Sequence, residues 1–98
     1  MITINDSQPN GHVFAVDTRL TGMVRGDATI PSGRKVEIKG MVTGDLKVAA
    51  GASVEIDGMV IGTVINDGGY VNIRGMVGRV VDIGPVKANV PPGAVVRS

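Results

Sequence analysis

Four Gly-Met-Val tripeptides punctuate this chain, at residues 22–24, 40–42, 58–60 and 75–77. The first three stand 18 residues apart and the fourth follows after 17, so any fold must accommodate a repeat of that length. Written as rungs, the middle of the chain reads GMVRGDATIPSGRKVEIK, GMVTGDLKVAAGASVEID, GMVIGTVINDGGYVNIR and a shorter GMVGRVVDIG. A finer period of six runs through them as Val24, Ile30, Val36, Val42, Val48, Val54 and Val60. After a one-residue deletion it resumes at Ile65, Val71, Val77 and Ile83.

A period of six suits neither an amphipathic helix, which places apolar residues three and four apart, nor a plain hairpin protein with period two. It suits a chain that makes a short strand, turns a corner and does so three times per coil. The sequence therefore predicts an all-β fold, a single-stranded triangular β-helix (β-solenoid) of about four to five rungs with 17–18 residues per rung. Local patterning agrees: in Val36-Glu37-Ile38-Lys39, Val54-Glu55-Ile56-Asp57 and Val71-Asn72-Ile73-Arg74, apolar and polar residues alternate as in a strand with one buried face. Glycines at 26, 44 and 62, and at 33, 51 and 68, supply backbone freedom for corners. A helix would carry them at a cost of about 1 kcal/mol each. Residues 21–98 are thus read as the solenoid domain. Residues 1–20 lack the repeat and are expected to cap or cover it.

Stacking the rungs puts Lys39, Asp57 and Arg74 on one line of alternating sign, with Glu55 diagonal to Lys39 and Arg74. Such exposed cross-strand pairs contribute roughly 0.2–1 kcal/mol each and serve mainly to fix register.

Composition narrows the function. Ten basic and nine acidic residues are scattered along the 98-residue chain for a net charge of +1, which gives no concentrated basic face for nucleic acid. One Phe, one Tyr and no Trp leave no platform for stacking bases. Without cysteine there is no thiol chemistry, thiolate metal site or disulfide. The opening MITINDSQPNGHVFAV has no basic stretch followed by an apolar run, and no apolar run approaches the ~20 residues of a membrane span, so a cytoplasmic location is expected.

If the valines of the tripeptides point into the column, alternation sends Met23, Met41, Met59 and Met76 outward as an apolar ladder. These four are the candidate partner-binding residues, since methionine makes adaptable contact surfaces. The competing expectation is that the N-terminal segment, through Val13, Phe14, Val16 or Leu20, folds over them. His12, the only histidine, stands beside no carboxylate or serine in the sequence and reads as a surface or capping residue. Arg25-Gly26-Asp27 spells an adhesion tripeptide, but its Gly-Asp belongs to the repeat. Asn5-Asp6-Ser7 spells a glycosylation sequon without an export signal. No catalytic, cofactor-binding or metal-binding set is evident, and no cofactor is expected.

The stretch VEIKGMVTGDLKVAAGASVEIDGMVIGTV resembles the bactofilin repeat, in which "v-x-i-x-G-x-v-x-G-d-i" returns every turn; the similarity covers residues 22 to 84. The resemblance implies a right-handed triangular β-helix that acts as a bacterial cytoskeletal or scaffold module and polymerises end to end without nucleotide. The partner is then the chain itself. The alternative is a capped solenoid of the immunity or antitoxin type that neutralises one toxin protein. Hexapeptide-repeat acyltransferases share the period of six, but their catalytic histidine and inserted loop are not evident here.

Overall fold

A computed structural model describes residues 2–5, 7, 8, 12–14, 16–83 and 94–96. Among these, the chain climbs in rungs of up to three strands. The first rung comprises β1 (Ile2–Ile4), β2 (Ser7–Gln8) and β3 (His12–Val13). The second comprises β4 (Thr18–Leu20), β5 (Met23–Val24) and β6 (Ala28–Ile30). The third comprises β7 (Lys35–Ile38), β8 (Met41–Val42) and β9 (Leu46–Val48). Then follow β10 (Ser53–Ile56), the long β11 (Met59–Asn66), β12 (Tyr70–Ile73), the long β13 (Met76–Asp82) and β14 (Val95–Val96). β11 and β13 each run from the second face of the triangle onto the third.

All these strands pair in parallel. One face stacks β1-β4-β7-β10-β12, and the tripeptide strands stack on the second face. This is the predicted β-solenoid, and no described residue is helical. Its core is built from columns of like residues. Val36, Val54 and Val71 stack on the first face beside Leu20, Ile38, Ile56 and Ile73; Val24, Val42, Val60 and Val77 stack on the second. All of these are buried.

The three corners use glycine for different physical reasons. At the third-to-first corner, Gly33 and Gly51 have φ of 82° and 79°, a region that side chains with Cβ rarely enter. At the first-to-second corner the requirement is space. A Cβ on Gly40 would stand 1.8 Å from the Gly22 oxygen, and one on Gly58 or Gly75 would stand 2.0 Å from the glycine oxygen of the rung below. Each of those oxygens accepts the next methionine amide: Met41 N donates to Gly22 O, Met59 N to Gly40 O and Met76 N to Gly58 O, all at 3.0 Å. The glycine of the tripeptide is therefore fixed by what lies directly beneath it.

The second-to-third corner explains the Gly-Asp pairs. Asp27 Oδ1 accepts the Asp45 amide at 2.9 Å, and Asp45 Oδ1 accepts the Thr63 amide at 2.8 Å. A carboxylate thus receives the N–H of the rung above where the backbone is turning. Gly44 and Gly62 make room for it, since a Cβ there would stand 2.5 and 2.4 Å from those same oxygens.

Two expectations are corrected. Three segments read as lying outside the repeat pair as a rung of it: Ile2–Ile4 on Thr18–Leu20, Ser7–Gln8 on Met23–Val24, and His12–Val13 on Ala28–Thr29. Phe14 and Leu20 enter the core, while Val13 sits on the third face, so none of these three lies over the methionines. The second correction concerns Ile65 and Ile83, which are not core residues. Ile65 pairs with the exposed Lys47, and Ile83 is 64% exposed. The core positions of that rung are Val64 and Asn66, stacked on Leu46 and Val48. The deleted residue belongs to the following corner, which spans 67–69 where the equivalent corners span 31–34 and 49–52.

Asn66 is fully buried in what is otherwise an aliphatic column because it closes that shorter corner. Its Oδ1 accepts the Gly69 amide at 2.8 Å and its Nδ2 donates to Asp82 Oδ1 at 3.1 Å. Asn66→Ala would leave the buried Gly69 N–H without that acceptor, so a loss of about 1–3 kcal/mol is expected in urea denaturation. A change too small to measure would show that the corner closes without the carboxamide.

Candidate functional site

The four methionines form one line. Met23 pairs in register with Met41, Met41 with Met59, and Met59 with Met76; at the backbone the line extends to Ser7 below and Val95 above. Each methionine is half-buried, beside a valine that is wholly buried. The outward phase of these side chains therefore matches the alternation read from the sequence. Directly after the valines stand Arg25, Thr43 and Ile61, of which Arg25 and Ile61 are exposed. Thr43 is tied into the corner, its Oγ1 accepting the Gly26 amide at 3.0 Å.

The first face is polar outside. Lys39 pairs with Asp57 at 3.3 Å and Arg74 with Glu55 at 3.2 Å, as the stacking predicts, and Arg19 adds a pair to Glu37 at 3.3 Å. Arg19 stands before the first tripeptide, so the repeat alone does not place it on this face. Glu37 and Glu55 stack directly on one another, and each like charge is offset by one of these arginines. The basic side chains remain well exposed and the carboxylates partly so, at 19–30%, so the pairs set register more than stability.

The third face holds a groove of about 340 Å³ lined by Thr29, Lys47, Val48, Ala49, Ile65, Asp67 and Ile83. Its charged groups stand on two different rungs amid aliphatic side chains, and nothing in the sequence pattern pointed to it. His12 is half-buried and packs edge-on against Phe14, with ring centroids 4.7 Å apart, which agrees with a capping role in the first rung. Asp27 of the Arg-Gly-Asp tripeptide has a carboxylate oxygen committed to the Asp45 amide. Among the described residues no three His, Cys, Asp or Glu side chains gather closely enough to hold a metal ion, and no helix is long and apolar enough to cross a membrane.

Exposed large apolar side chains gather towards the two ends of the column. Ile2, Val13 and Val16 lie in or just after the first rung, and Tyr70, Val81, Ile83 and Val95 lie in or after the last, with Ile61 between. Compared with family models, curated proteins and solved structures, the chain matches none.

Proposed function

We propose that this protein is a non-enzymatic scaffold module, bactofilin-like, cytoplasmic and assembling with copies of itself through the ends of its column. One observation carries this reading: β1, β2 and β3, the three strands of the first rung, are all sheet edges, with no strand beneath them among the described residues. A parallel sheet edge presents a row of free N–H and C=O groups that template another chain. On β1, Ile2 donates inward to Asp17 O and Ile4 accepts inward from Thr21 N, so Thr3 between them turns its N–H and C=O to the open side. The apolar side chains exposed at the two ends supply the area that such a contact would bury.

Sedimentation velocity across a wide range of protein concentration tests this. The mass of the parent protein should rise with concentration, and Thr3→Pro, which removes an outward donor while leaving the inward bonds in place, should lower it. Val95 is less suitable for proline because its amide donates inward to Gly75 O at 2.9 Å. A single monomeric species for the parent at every concentration would overturn end-to-end assembly. The second reading, a capped solenoid of the immunity type, is favoured by the methionine ladder. There Met23, Met41, Met59 and Met76 would contact one protein partner through the side of the column.

A further inference from the structure

We propose that the methionine ladder binds a soft monovalent metal ion, Cu(I) in the cell and Ag(I) as its redox-inert analogue. This does not depend on how copies assemble. The starting point is residue choice. The ladder position is a half-buried site in a β-strand, where β-branched residues are ordinarily preferred, and it is occupied by methionine on four consecutive rungs. Holding a methionine there costs more rotamer entropy than isoleucine or leucine of similar apolar area would. What methionine adds is a thioether sulfur, a soft ligand that selects Cu(I) over the hard divalent ions.

Spacing and surroundings agree with that donor set. Adjacent strands lie ~4.8 Å apart, so paired methionines start at that separation. With metal–sulfur bonds of ~2.3 Å, the length of a zinc–thiolate bond, two sulfurs on opposite sides of one ion span ~4.6 Å. Two neighbouring rungs can therefore share an ion without moving the backbone. On the second face β2 is Ser-Gln, β5 and β8 consist of Met-Val alone, β11 and β13 begin with it, and β14 is Val-Val, so among the described strands no carboxylate or imidazole stands in line with the sulfurs. A thioether carries no proton to lose, and its affinity should stay constant between about pH 5 and pH 8, where a histidine site would change.

The test is a titration of protein carrying ¹³C in the methionine methyl groups, first with silver nitrate and then with Cu(I) held by ascorbate without oxygen. Met1, the fifth methionine and outside the four tripeptides, is the internal reference. Saturable shifts of the Met23, Met41, Met59 and Met76 methyls, with Met1 unmoved and the same affinity at both ends of that pH range, are expected. The double variant Met41→Leu with Met59→Leu conserves volume, should melt as the parent does, and should bind Ag(I) at least about tenfold more weakly. Five methyl signals drifting together without saturation, or equal Ag(I) affinity in the variant and the parent, would overturn the proposal. The titration of the parent protein decides by itself even if the variant folds poorly.

Discussion

Val54→Asp is expected to lower the melting temperature by about 20 °C or more. Val54 lies between Val36 and Val71 in the centre of the first-face column and is 2% exposed. Its replacement removes roughly 1.5–3 kcal/mol of apolar burial and puts a carboxylate where only aliphatic side chains stack. Substitutions of this kind fall among those that cost about 4–5 kcal/mol or more, against a total stability of roughly 5–15 kcal/mol for a domain of ordinary size. The parallel rungs leave little room to evade it, because each strand is held by both neighbours. Ile61→Asp is the control, since that side chain is 53% exposed, and a change within about 0.5 kcal/mol is expected. Circular dichroism melts of the two variants give the comparison. A cooperative melt of Val54→Asp at the parent's temperature would mean that this position faces solvent.

Gly58→Ala is expected to cost about 3 kcal/mol or more in urea denaturation. The added methyl would stand 2.0 Å from the Gly40 oxygen and 2.8 Å from the Lys39 carbonyl, all of it backbone that cannot rotate away. To admit it the rungs must separate, which weakens the bond from Met59 N to Gly40 O. Overpacking of this sort typically costs 1–3 kcal/mol where side chains can adjust, and roughly the upper end or beyond where they cannot. Gly33→Ala provides the contrast. No atom lies within 4 Å of a Cβ there, so only the positive φ opposes it, at about 1–2 kcal/mol. Equal losses at the two positions would show that corner conformation, and not the stacked carbonyl, selects glycine in the tripeptide.

That contrast also explains what could be read from the sequence. The glycine of each tripeptide is demanded by the rung below it, methionine takes the outward site and valine the inward one, so all three recur whenever one rung sits on another. The strands of the first face were equally legible, because Val36, Val54 and Val71 share a phase with Ile38, Ile56 and Ile73 that no other period reproduces. The first rung was not legible for the same physical reason. Its strands are sheet edges with no described strand beneath, so the steric demand for the tripeptide lapses, and Ser7-Gln8 stands where Met-Val would be expected.

The phase of β11 was lost through a different effect. Following apolar residues alone selects Ile65, because the true core position holds Asn66, a polar residue retained for its bonds to Gly69 and Asp82. The Asp27 and Asp45 bridges could have been suspected from the repeated Gly-Asp, but their purpose appears only when the amide of the next rung is seen at the carboxylate. The ladder itself was legible as a line. The groove on the third face joins residues from separate rungs and left no periodic trace.

The claim on which all of this rests is that each tripeptide lies directly on the one before it. Nuclear Overhauser contacts between the methyl groups of the buried valines measure that stacking, in protein labelled only at valine. The account predicts an unbroken chain of contacts from Val24 to Val42, Val42 to Val60 and Val60 to Val77, with none directly between Val24 and Val60. Contacts that skip a rung, or that join these valines in the reverse order of an antiparallel sheet, would contradict it.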